Sequence, residues 1–314
     1  EIGVRLVGSE MCIRDSDSPD IPLNVSRSYL QSDASVKKIT NYITRKVADK
    51  LNSIFKNERE NLESKWNDIK VVIEYGMLTE DKFYDKAESF NLYPTVDDKY
   101  FTYEELEKKI KKLQTDKDGN LIILYAQNKD EQYTYIESAK EKGYEVLLLD
   151  SPIIPHLMQK LESKKEKIKF SRVDSDTLEN LIKKDEEVIS KLTDEEKEKL
   201  KPMIETAVEN EKYTVQLEAL DSNSMPFMLA QPEFMRRMKE MQQTGGGAMG
   251  NLPDMYSLIV NTNHELVSKI LNTRTEKKRN SLIKQSIDLA KLSQNNLTGK
   301  DLTEFINRSI DLIK

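Results

Sequence analysis

Apolar residues recur along this chain mostly at helical spacing, with a few short stretches at strand spacing. From about Val36 to Trp66, the residues Ile39, Ile43, Val47, Leu51, Ile54 and Phe55 fall three or four positions apart, which marks one apolar helix face. Val71-Val72-Ile73, ending at Gly76, predicts a short strand. An aromatic-rich helical region follows (Phe83, Phe90, Tyr100, Tyr103) and runs through Leu106 and Ile110 to Leu113. Gly119-Asn120 then opens a strand from Leu121 to Ala126. A helix is predicted from about Glu131 to Lys142, with Gly143 as its C-cap, before a strand from Tyr144 to Leu149. A strand, a crossover helix and a second strand predict a parallel pair. Pro152 and Pro155 start another helix to about Glu162, and Ile168 to Val173 is a third strand, so a small α/β subdomain is expected over about 113–174.

Charge density rises between Asp174 and Lys201, where Thr193-Asp194-Glu195-Glu196 reads as a capped helix start. This places a domain boundary near Lys184. Beyond it the pattern predicts a helix to about Glu209, a strand from Tyr213 to Leu220, an apolar segment from Met225 to Ala230 and a helix from Pro232 to Gln243. A glycine loop, a strand from Tyr256 to Val260 and two terminal helices (about Thr275–Gln294 and Asp301–Ile313) complete it. The expected fold class is α/β and α+β. A helix-rich part (17–184) carries the small α/β subdomain, and an α+β part (185–314) ends in a helix pair.

The 314 residues suffice for about two domains. Charged residues make up 33% and net charge is −6, with basic runs such as Lys108-Lys109 embedded among glutamates, so nucleic-acid binding is not expected. No apolar run is long enough for a membrane helix, and the single cysteine, Cys12, anchors neither an internal disulfide nor a zinc cluster. A cytoplasmic setting fits. The first sixteen residues, EIGVRLVGSEMCIRDS, share neither the period nor the composition of the rest. They resemble a translated adaptor or vector sequence, so 1–16 are excluded from the fold and the chain is expected to be a fragment.

No self-contained catalytic motif is present. His156 and His264 lie far apart without metal-ligand spacing, and Gly245 to Gly250 lacks the Lys and Ser/Thr that a phosphate loop requires. The informative string is DIPLNVSRSYLQ, residues 20–31. An Arg at a loop-to-helix junction with Gln31 one turn later presents a guanidinium and an amide on one face, suited to a phosphate; the alternative is a solvated or capping arginine.

This string resembles the D-[LI]-P-L-N-[VI]-S-R-E-x-L-Q segment in the middle domain of the heat-shock protein 90 chaperones. Lys65-Trp66-Asn67, the stretch from Gly143 to Leu149 (GYEVLLL) and Asn263-His264-Glu265-Leu266-Val267 resemble further family segments, in the same order. The resemblance covers about Ser18 to Lys314, the rear of the middle domain and the C-terminal dimerisation domain. It implies an ATP-dependent chaperone in which Arg27, and with it Gln31, contacts the γ-phosphate of ATP, bound with Mg by a separate N-terminal domain. The chain alone is then expected to bind no nucleotide and to be inactive as an ATPase. Ser28 stands where the family usually has Glu, which leaves open how the loop is steadied.

Seven of the eleven methionines fall between Met225 and Met255. Phe234, Met238 and Met241, with Met235 beside them, lie on a helix that also carries Arg236, Arg237 and Lys239. Either this apolar face docks on the protein's own core or, as the resemblance implies, it contacts unfolded clients. In the terminal helices Ile283, Ile287, Leu302, Phe305, Ile306 and Ile310 form apolar faces that fold back on the domain or, by the resemblance, build a four-helix bundle across a homodimer. The acidic tail of the eukaryotic cytosolic members is not seen before Lys314, so repeat-domain cochaperones are not expected. A nucleotide-independent, helix-rich dimeric scaffold is the rival expectation.

Overall fold

A computed structural model describes residues 34–184, 188–208, 212–245 and 255–313. Arg27, Gln31 and the excluded residues 1–16 lie outside the described residues, as does Met249.

The first part is a stack of helices: α1 (Ala34–Asn57), α2 (Arg59–Ser64), α3 (Trp66–Thr79) and α4 (Asp81–Ala87). The amphipathic stretch expected as one unit is divided at Glu58 and Lys65. The strand expected at Val71–Ile73 is instead the middle of α3. Its buried residues, Trp66, Lys70, Ile73, Glu74 and Met77, follow helical spacing, while Val71 and Val72 point outward at 39% and 73% exposure. Packing of that face outweighs the strand preference of a β-branched triplet. Gly76 lies inside α3 because a Cβ there would sit 2.8 Å from the Phe83 ring of α4. The aromatic-rich region is not continuously helical either. Tyr93–Pro94 (β1) pairs antiparallel with Tyr100–Phe101 (β2) before α5 (Tyr103–Ile110) begins. Thr102 and Glu105 close a capping box on α5.

The α/β subdomain follows the sequence pattern closely. β3 (Leu121–Ala126), α6 (Tyr133–Glu141), β4 (Val146–Leu148), α7 (Ile154–Lys164) and β5 (Ile168–Arg172) form a parallel sheet of order β4-β3-β5. Leu124 lies opposite Val146 and Ile123 opposite Phe170. The central strand is buried along its whole length, which explains its unbroken apolar run. Gly143 ends α6 with φ +75°, a left-handed conformation that glycine adopts without strain.

After the short α8 (Leu178–Leu181), α9 (Asp194–Glu205) starts at a Thr193–Glu196 capping box. Then come β6 (Tyr213–Glu218), β7 (Phe227–Ala230), α10 (Glu233–Gly245), β8 (Tyr256–Asn261), α11 (Glu265–Asn272), α12 (Glu276–Ser293) and α13 (Gly299–Ile313). The sheet order is β6-β8-β7, with β8 parallel to β6 and antiparallel to β7. Leu200, Ile204, Val215, Leu258, Val260, Val267, Ile270, Ile283 and Ile287 build its core. His264 is an N-cap: its Nδ1 accepts the Leu266 N–H at 3.0 Å. The whole is the mixed α/β and α+β fold expected from the sequence.

Candidate functional site

Helix α10 is bound to its surroundings by charge. Glu233, Arg236, Arg237 and Glu240, at positions i, i+3, i+4 and i+7, share the face that packs toward the α/β subdomain. Arg237 reaches Glu162 of α7 at 2.8 Å and the carbonyl of Phe170 on β5. Arg236 bonds Glu233 at 2.6 Å, Glu240 at 2.5 Å and the hydroxyl of Tyr125 on β3, and Tyr125 donates to Glu233 at 2.8 Å. Arg172 of β5 adds its backbone N–H to Glu233 and its guanidinium to Gln127 and Asp174. Arg236 is only 3% exposed. Burial opposes ionisation of Glu233, but Arg236 and Arg237 outweigh it and hold the carboxyl below its usual range. The Tyr125 hydroxyl is pushed up, first by burial and then by Glu233.

The other face of α10 carries the residues singled out from the sequence. Phe234 is 70% exposed, and Met235, Met238 and Met241 are half-buried. Phe234 thus faces solvent while the methionines are partly covered, and the charged face supplies the bonds to the α/β subdomain. The sequence showed the amphipathic pattern but not which face is anchored, because the anchoring groups, Tyr125, Glu162 and Phe170, are far away in the chain.

The terminal pair divides differently. Ile283 and Ile287 are buried at 0% and 4% in the chain's own core, on the side of α12 that packs on β7, so neither is available to a second copy. Leu302 and Phe305 are half-buried, while Ile306 and Ile310 are 47% and 46% exposed. Leu289 and Leu292 on α12, not singled out from the sequence, are also exposed. Their spacing along α12 was the available signal. Arg308 pairs with Asp288, Gln285 bonds Ser309 at 2.8 Å and Lys284 pairs with Glu304 at 3.3 Å, fixing α13 to α12.

Among the described residues no cluster of His, Cys, Asp or Glu is arranged to hold a metal ion, and no helix is long and apolar enough to cross a membrane. The residues that the resemblance assigns to ATP, Arg27 and Gln31, are outside the described residues.

Residues 14–309 match the family model described as "Hsp90 protein", a match that leaves out nearly all of the excluded 1–16 stretch. The chain is 42% identical to the chaperone protein HtpG of Bacteroides thetaiotaomicron, over 95% of this chain and 54% of that protein. It is 46% identical to the chaperone protein HtpG of Porphyromonas gingivalis, over 88% of this chain and 41% of that protein. A more distant HtpG, from Bdellovibrio bacteriovorus, is 26% identical over 83% of the chain. The chain thus spans about half the length of the curated relatives it matches.

Proposed function

Because this chain belongs to the Hsp90 family, we propose that it is the rear portion of an HtpG-type, ATP-dependent chaperone acting in the cytoplasm. Residues 17–184 are the remainder of the middle domain and 185–314 the dimerisation domain. The observation that carries this reading is the 42% identity to an HtpG across 95% of the chain. The rival reading as a nucleotide-independent scaffold has no comparable support.

Unfolded clients meet the exposed side of α10 at Phe234, Met235, Met238 and Met241. Thioether side chains conform to irregular apolar surfaces, and the anchoring charges lie on a different face of the helix. Homodimerisation uses Ile306 and Ile310 with Leu302 and Phe305, joined by Leu289 and Leu292 in place of the buried Ile283 and Ile287. ATP with Mg belongs to the full-length protein, where Arg27, with Gln31 nearby, offers positive charge to the γ-phosphate. This chain alone hydrolyses none.

In the full-length gene product, Arg27→Ala is expected to lower the rate of ATP hydrolysis by about 10²-fold or more while ATP affinity changes little, because the contact belongs to the closed, reacting state. Equal loss of affinity and rate would remove Arg27 from this role.

A further inference from the structure

A cleft of about 350 Å³ lies between the α/β subdomain and the second sheet, within the size range of ligand-binding pockets. Its floor is apolar, formed by Val173, Leu178, Leu220, Met225 and Met228. Met228 packs against buried residues of both flanking cores, so the floor is the place where the two cores meet. The rim is acidic: Glu141, Asp176, Glu179 and Asp221 face a single cation, Lys142. Lys142 is already held by Glu179 at 2.5 Å. Among the described residues, Glu141, Asp176 and Asp221 have no ion-pair partner. Glu218 stands beside this rim, bonded to Asn180 at 2.8 Å and to Thr177 at 3.4 Å. Its carboxyl is pushed up by burial and by Asp176 and Glu179. The cleft therefore joins an apolar floor to three carboxylates, Glu141, Asp176 and Asp221, that pair with no cation among the described residues.

We propose that this cleft takes a lysine or arginine side chain of an extended, unfolded polypeptide. The aliphatic stem lies along Leu178, Met225 and Met228, and the charged tip sits between Asp176 and Asp221. Long cationic side chains have this two-part chemistry, an apolar stem ending in a group that seeks carboxylates. None of the α10 residues lines the cleft, so it is a second contact surface with a different preference. The inference rests on the chaperone reading and deepens it, by making cationic segments a favoured class of client.

The test uses the 314-residue chain and two labelled unfolded peptides, identical except for Lys or Gln at the same positions, with affinities read by fluorescence anisotropy. The Lys peptide is expected to bind about tenfold more tightly at low salt. Asp176→Asn with Asp221→Asn is expected to abolish the preference without shifting the melting temperature, since an amide oxygen still accepts the bonds donated by Asn180 and by the Asn223 backbone. Lys142→Gln, which removes the one rim cation, acts in the opposite direction and raises Lys-peptide affinity severalfold. Phe234→Ser leaves the preference in place. Equal binding of the two peptides, a preference that survives the double Asn variant, a preference lost with Phe234→Ser, or displacement by spermidine as efficient as by unlabelled Lys peptide would each overturn the proposal. Retained Lys preference in a chain that fails to suppress aggregation of an unfolded test protein would instead overturn only the chaperone reading.

Discussion

Helices α10 and α12 are both amphipathic, yet they are anchored by opposite faces. In α12 the stripe of Ile283 and Ile287 is buried, at 0% and 4% exposure, while the other side carries charges that reach outward or to α13 and the exposed Leu289 and Leu292. In α10 Arg236 is buried, Arg237 is mostly covered, and Phe234 faces solvent. The two kinds of anchor fail differently. Trimming an apolar side chain loses contact area in proportion to the atoms removed. Removing one member of a buried ion network strands its partners in low dielectric, so the loss is abrupt. A helix anchored by apolar contacts hides the stripe that anchors it, whereas one anchored by charge leaves an apolar residue such as Phe234 open to other molecules.

The largest effect is expected from Arg236→Ala, which strips Tyr125 and Glu240 of their buried cation and leaves Glu233 to Arg237 alone. It should cost about 3–5 kcal/mol and appear as accelerated hydrogen exchange confined to α10 and the adjoining edge of β3. A companion variant, Arg236→Met with Glu233→Leu, removes the charge along with its partner and should recover much of the loss. Unchanged exchange in Arg236→Ala would erase the contrast between the two helices. Ile283→Ala in α12 comes next, at about 2–5 kcal/mol in denaturant unfolding, with α10 exchange unaltered.

Glu74 on α3 extends the comparison to a charge buried without a full partner. Its pKa rises from 4.5 to about 6, first because of burial, and among the described residues its Oε2 accepts no hydrogen bond. Because the folded pKa is raised, folding takes up a proton between these values, and the stability present below about pH 4.5 is lost as pH rises through 6. The penalty at pH 7.5 is about 2 kcal/mol. Glu74→Gln should therefore raise the melting temperature relative to the parent at pH 7.5 and leave it nearly unchanged at pH 4.5. A gain of equal size at both pH values would contradict the burial argument.

The smallest stability effects, under about 0.5 kcal/mol each, are expected from Phe234→Ser and from Ile306→Ser with Ile310→Ser. The first should weaken suppression of aggregation, and the second should shift the sedimentation of the chain from dimer toward monomer at micromolar concentration. A large fall in melting temperature for Phe234→Ser would mean that both faces of α10 are anchored after all.

The parts legible in the sequence were those where local pattern and tertiary packing agree. The parallel unit around β3 showed itself through a fully apolar strand, Gly143 at the end of α6 and a helix of the right length between strands. The capping residue at Thr193 was visible for the same reason. The middle of α3 was misread because its buried face includes Lys70 and Glu74, which break the hydropathy signal and leave Val71-Val72-Ile73 as the conspicuous feature. The β1–β2 pair is too short, at two residues each, to impose an alternating pattern. In α12 the sequence named the apolar side that is buried and passed over Leu289 and Leu292 on the exposed one, since hydropathy does not distinguish a buried apolar stripe from an exposed one.

The two three-stranded sheets also differ in when their central strand is made. In the order β4-β3-β5 the middle strand is synthesised first, and each later strand adds to an existing neighbour. In the order β6-β8-β7 the middle strand is the last, and β6 and β7 have no hydrogen-bonded neighbour in that sheet until Tyr256–Asn261 is available. During translation the first sheet grows by accretion while the second waits, with β6 and the apolar β7 unpaired for the interval needed to make α10 and the segment beyond it. Until β8 emerges, the nascent chain exposes two strand edges, a window in which it is itself open to misfolding or aggregation.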